Sequence, residues 1–131
     1  MQKSFLLIII FVLPHYLFGQ NESDDNKVYT ITEVQAEYSG GIKEFYDFVF
    51  KNFKYPQELI RTNFSCGKVL VSFIIEKDGS LTNVKVEKGC HKLYDAELIK
   101  VIATMPKWKP AIHQKKAVSS KFTLPIFICL E

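Results

Sequence analysis

Arginine is almost missing from this chain. Arg61 stands alone beside sixteen lysines among 131 residues, and the net charge is only +3. A nucleic-acid-binding surface clusters its basic residues and draws on arginine's planar guanidinium. This balance argues against such a partner and describes a lysine-rich solvated surface. Cysteine is scarce as well: Cys66, Cys90 and Cys129, with no Cys-x-x-Cys and no His-x-x-x-His spacing. Cys90-His91 and His113 therefore form no recognisable metal site. A glycine-rich phosphate loop is lacking, and Ser119-Ser120-Lys121 has no nucleophile arrangement around it. An enzyme is not expected, nor is a cofactor. Long apolar runs are also wanting. Phe5 to Leu13 is unbroken before Pro14-His15 interrupts it, well short of the ~20 residues that a spanning helix requires.

What is present falls into segments. Met1-Gln2-Lys3, the apolar run and the small Gly19 have the three-part layout of a secretory signal over 1–19. The alternative is an uncleaved anchor, the one case in which the chain would contact a membrane. A polar segment follows over 20–38, opening with the acidic QNESDDNK and holding a short β-prone piece, Val28 to Ile31, that adds a minor strand or lies on the surface. Residues 39–131 are the domain. The whole chain holds eleven Phe and six Tyr, so an aromatic-rich core is expected.

Gly67 to Glu87 organises that domain. Val69, Val71, Phe73 and Ile75 alternate with Lys68, Leu70, Ser72 and Ile74, the two-residue period of a strand. Asp78-Gly79 suits the positive φ angles of a hairpin turn, and Leu81 to Glu87 alternates again with one polar face. The first strand, apolar on both faces, belongs inside a sheet. Before the hairpin, Ile42, Phe45, Tyr46, Val49 and Phe53 mark an apolar helix stripe, widened by Phe48 and Phe50 and read as core. Tyr55-Pro56 stops that helix, and Pro56 starts a short one over Gln57 to Arg61. A helix from about Leu93 to Thr104 follows, then a stiff crossing at Met105 to Pro110 and a polar loop at Ala111 to Lys116. Val118 to Leu130 is the last main strand. Pro125 cannot donate to a ladder and consigns it to a sheet edge. The expected fold class is α+β: a small antiparallel sheet, in which the hairpin's second strand, its first strand and the last strand lie in the order 2-1-3, with helices on one face.

In an oxidising compartment the three cysteines allow one disulfide and one spare thiol. With Asp78 and Gly79 as the turn, Cys66 falls opposite His91, one residue from Cys90, and a single bulged residue would bring the two cysteines level. A Cys66–Cys90 bridge closing the open end of the hairpin is one reading. Three small buried hydrophobes are the other.

Tyr55-Pro56, Gly67-Lys68-Val69, Phe73 to Gly79, Ala96, Met105 to Pro110 and Phe122-Thr123-Leu124-Pro125-Ile126 occur in an order and spacing that resemble the C-terminal domain of TonB proteins. The likeness covers about Tyr55 to Leu130, and the helix after Ser39-Gly40-Gly41 resembles an extension found on some relatives. The resemblance implies a periplasmic domain of the Gram-negative envelope. Its edge strand would grip an extended peptide near the N-terminus of an outer-membrane transporter by strand addition and pass on work from an inner-membrane motor. It implies partner-binding residues Val118, Ser119, Ser120, Lys121, Phe122, Thr123 and Leu124, with Tyr55 and Pro56 close to the peptide or serving the structure alone. The sequence departs from a full transducer in lacking a Pro-rich spacer. The residues between Gln20 and the domain reach about 70 Å at most when fully extended. The alternative reading is a homodimeric module that pairs its edge with a second copy, without energy transduction.

Overall fold

Eight elements fill residues 26–129, the part described in the computed structural model of the chain. The expected leader over 1–19 lies outside the described residues. In chain order the elements are β1 (Val28–Tyr29), α1 (Ile42–Asn52), α2 (Gln57–Arg61), β2 (Lys68–Ile75), β3 (Leu81–Lys88), α3 (Lys92–Ala103), β4 (Ala111–His113) and β5 (Lys116–Phe127). The strands run β1-β5-β2-β3 across the sheet, with β4 paired to the start of β5. This is an α+β fold. The expected 2-1-3 order is present in β3-β2-β5, all antiparallel. To it the structure adds β1, parallel to β5, and β4.

The alternation of β2 explains its central place. Val69, Val71, Phe73 and Ile75 are at most 1 % exposed and face the helices, while Ser72 on the opposite face is buried as well. Leu124 and Ile126 of β5, and Ile128 just after it, join them. The helix layer covers this face with Phe45 and Val49 of α1 and with Tyr94, Leu98, Val101 and Ile102 of α3, all buried. Burial of such side chains is worth about 1.5–3 kcal/mol each, so helix and sheet hold one another. The Phe45 ring lies 6.5 Å from Phe73 and 5.7 Å from Trp108. The start of α3 is capped by His91, whose Nδ1 accepts from the Leu93 N–H at 3.2 Å. That gives His91 a structural task.

Three expectations need correction. The hairpin closes through Glu76–Ser80, with Ile75 opposite Leu81, not through Asp78 and Gly79 alone. Asn83 at φ 49° inserts an extra residue into β3, and a second shift follows between Leu70 and Val71. Ala111 to His113, expected as exposed loop, is β4, and Ala111 is fully buried. Its two-residue turn uses Gln114 and Lys115 at φ 49° and 62°, a conformation usually reserved for Asn-Gly. The apolar stripe of α1 is not all core. Phe45, Val49 and Phe53 are buried, whereas Ile42 is 53 % and Phe50 44 % exposed.

Gly79 fastens the hairpin to the chain that leads into β5. It lies at φ 85°, and a Cβ there would stand 2.0 Å from the Trp108 carbonyl oxygen. Its own carbonyl accepts from the Trp108 N–H at 2.9 Å. Only glycine meets both demands. At the other end Cys66 and Cys90 are joined as a disulfide with their Cα atoms 5.9 Å apart, and Cys129 is free and exposed.

Candidate functional site

β5 has one partnered side and one that is only partly used. Along one side it pairs with β2 from Lys68↔Phe127 to Ile75↔Ser120 without a register break. Ser120 also pairs with Tyr29, so β1 must lie on the opposite, outer side. Beyond the Tyr29–Ser120 pair, no described strand follows that outer side toward Phe127. Pro125, opposite Leu70, has no N–H, so in an antiparallel ladder its backbone nitrogen and carbonyl turn outward. Directions alternate along a strand. Lys121 and Thr123 therefore share the outward direction of Pro125, while Phe122 and Leu124 bond toward β2.

The expected binding residues thus divide. Val118, Ser119 and Ser120 lie where β4 and β1 already pair with β5, and all three are buried. They correct the expectation that the outer edge is free from Val118 onward: β1, arriving from the far end of the sequence, pairs there with Ser119 and Ser120. Lys121, Phe122, Thr123 and Leu124 form the stretch that described strands leave open. Tyr55 packs edge-on against Phe53 at 5.0 Å and Tyr94 at 6.3 Å, beside Pro56 and the start of α2. Those ring contacts tie it to the helix layer.

The side chains around the open stretch are of two kinds. On the face away from the helices, Lys121 Nζ lies 3.2 Å and Lys85 Nζ 3.7 Å from the same Glu87 oxygen. The Ser72 hydroxyl donates to Glu87 at 2.6 Å. The Ser72 bond, then the Lys121 ammonium, holds the Glu87 carboxyl below its ordinary range. Ser119 donates to Glu76 at 2.7 Å on the same face. On the helix face, Phe122 stacks on Phe73 at 5.9 Å and meets Trp108 edge-on at 5.3 Å. A cleft opens there, lined by Ala36, Glu37, Tyr38, Ile42, Trp108 and Phe122. Trp108 Nε1 is buried without an acceptor among the described residues. Farther along, Tyr46 of α1 donates its hydroxyl to the Pro125 carbonyl at 2.8 Å. Partial burial raises the pKa of that phenol and keeps it a donor.

No group of three or more metal-ligating side chains occurs among the described residues. No described helix is long and apolar enough to cross a membrane. What the arrangement offers is backbone: an outward N–H and C=O at Thr123, an outward C=O at Lys121, and unlike side-chain surroundings above and below.

Comparison with known proteins accounts for this architecture. The family model described as the Gram-negative bacterial TonB protein C-terminal matches residues 51–127. The chain belongs to that family. Its fold is similar to the solution structure of the Helicobacter pylori TonB C-terminal domain, residues 179–285, with a TM-score of 0.53 and 23 % identity, covering 69 % of this chain and 80 % of that one. A second solution structure of the Helicobacter pylori domain, residues 194–285, gives 0.48 and 23 %, with coverages of 65 % and 90 %. No curated protein matches the chain in sequence. TonB C-terminal domains are in general protein-interaction domains that engage outer-membrane transporters. The match begins at Lys51, so nearly all of α1 lies ahead of it.

Proposed function

We propose that this TonB C-terminal domain works in the periplasm, where it captures the extended N-terminal segment of an outer-membrane transporter by strand addition and supports energised transport. The observation that carries this reading is the open outer side of β5 at Lys121–Leu124, regular in register along β2, whereas β3 at the other rim is interrupted by register shifts. An unpaired strand edge is a template for another chain, giving affinity through main-chain bonds and selectivity through alternate side chains. Lys121 and Thr123 supply the outward backbone groups. Phe122 and Leu124 keep the strand fixed to β2.

Titration of the labelled protein with peptides from transporter N-termini, followed by NMR, tests the proposal. Shifts concentrated at Lys121, Phe122, Thr123 and Leu124 are expected, with slowed exchange of the Thr123 amide. Peptide-induced shifts confined to β3 or α2 would overturn it.

A further inference from the structure

α1 carries two apolar stripes, and the core uses only one. Phe45 and Val49 are fully buried, whereas Ile42, Tyr46 and Phe50 follow one another at four-residue intervals along the adjoining face. Residues so spaced line up on a helix surface. Ile42 and Phe50 remain about half exposed, so packing within this domain does not account for them. The second stripe runs beside the open edge. Ile42 shares its cleft with Phe122, Tyr46 bonds to Pro125, and the Phe50 ring stacks on Tyr46 at 6.4 Å with an interplanar angle of 17°. Ile42 to Phe50 is eight helical steps, about 12 Å, and Lys121 to Leu124 is three strand steps, about 10 Å. The stripe and the open stretch are of similar length.

A strand laid against β5 alternates its side chains between the two faces of the sheet. On the helix face they would meet Ile42, Tyr46 and Phe50. On the other face they would meet Lys121, where one carboxylate, Glu87, serves both Lys121 and Lys85. Lys68, opposite Phe127, adds a further positive charge to that face. The positive charge there is in surplus.

We propose that the exposed stripe of α1 is a specificity wall for the binding edge, and that the captured segment is an extended peptide alternating apolar residues toward α1 with acidic residues toward Lys121. This rests on the strand-addition reading above and adds the chemistry of the partner. A second copy of the chain fits the edge less well. In a twofold pairing of β5 with itself the donor missing at Pro125 is missing twice, and Lys121, Thr123, Pro125 and Phe127 bring no acid to either Lys121.

The test uses the whole protein and three synthetic octapeptides: Val alternating with Glu, Val alternating with Lys, and Ser alternating with Gln. Affinity is read by calorimetry and location by NMR. The Val/Glu peptide should bind at least about tenfold more tightly than the other two, with shifts at Lys121–Leu124. Ile42→Ser and Phe50→Ser should each weaken it several-fold with an unchanged melting temperature, since both side chains are exposed. Lys121→Glu should invert the order of the Val/Glu and Val/Lys peptides. Equal binding of all three at Lys121–Leu124, insensitive to the α1 substitutions, would leave strand addition standing and overturn the wall. Tighter binding by Phe50→Ser would also overturn it, making α1 a cover over the edge. Concentration-dependent shifts at β5 without peptide would assign the edge to a second copy instead. If none of the peptides moves Lys121–Leu124, the strand-addition reading falls, and this proposal with it.

Discussion

At one rim of the sheet lies β3, with Lys85, Glu87 and Lys88 exposed, an extra residue at Asn83 and two breaks of register against β2. At the other lies β5, unbroken in register along β2 and covered on its outer side only as far as Ser120. Both are edges, and an unguarded edge invites pairing with another chain. Charges and bulges that twist the ladder are the usual defences. β3 has them in full. β5 is guarded by Pro125, by the Tyr46 hydroxyl on the Pro125 carbonyl and by a two-residue strand, with a short regular stretch between. A domain that needed only solubility would defend both rims alike. The proposed strand addition at β5 rests on that asymmetry.

The strongest way to break the comparison is to loosen what holds both rims in one sheet. Gly79→Ala forces a side chain into φ 85° and into the Trp108 carbonyl, and the chain at Trp108 feeds β4 and β5. A loss of about 3–5 kcal/mol is expected, measured by urea unfolding. A loss under 1 kcal/mol would mean that the hairpin and the β5 rim are held independently. Next comes the Cys66–Cys90 link, which ties the start of β2 to the end of β3 across 24 residues of sequence. Replacing both by Ser should cost about 2–4 kcal/mol and raise amide exchange at Glu87 and Lys88 more than at Thr123. Peptide mapping without reductant would expose a wrong pairing by finding both thiols free.

A smaller effect on stability, and a large one on binding, separates neighbouring positions of β5. Thr123→Pro removes an outward donor that the β2–β5 ladder does not use, so it should cost about 1 kcal/mol while abolishing peptide capture. Phe122→Pro removes an inward donor and should cost about 3 kcal/mol. If the two proved equally destabilising, the outward assignment of Thr123 would be wrong and the open rim with it.

Much of this rim is legible in the sequence, because local chemistry dictates it. Pro125 announces an edge, the alternation of Val69 to Ile75 announces the strand beside it, and Tyr55-Pro56 and Pro106 stop helices where the structure ends them. What stays illegible is set by distant partners or by unusual backbone. Val28 and Tyr29 are too short a run to say that they will cross to Ser119 and Ser120. Gln114-Lys115 carries no glycine or asparagine to betray a left-handed turn, so β4 reads as loop, and with the crossing of β1 unseen Ser119 and Ser120 read as free. The stripe of α1 shows its period but not its division, because whether Ile42 and Phe50 face core or solvent depends on how far the helix overhangs the sheet.

The smallest effect is electrostatic, and it joins the two rims. Glu87 stands on β3, yet it accepts from Ser72 of the central strand and pairs with Lys121 of β5. Its folded pKa is depressed, first by the Ser72 hydroxyl and then by Lys121. The stabilisation is therefore complete above the ordinary glutamate pKa and is lost as pH falls through the lower folded value. Asp78, held down by the Ser80 hydroxyl, adds to the same acid limb from the hairpin turn. Stability should be flat from neutral pH to about 5 and decline below that, as expected for depressed carboxyls. Glu87→Gln keeps a hydrogen-bond acceptor for Ser72 but has no charge to lose, so its decline should be shallower than that of the native chain. If the two acid limbs superimposed, Glu87 would contribute nothing across the sheet. Lys121 would then be as free to meet a partner's carboxylate in the native chain as in the variant, and peptide affinity would be equal in both. With the Glu87 contact in force, the variant should bind the Val/Glu peptide more tightly, because Lys121 no longer has to leave a carboxylate to take one.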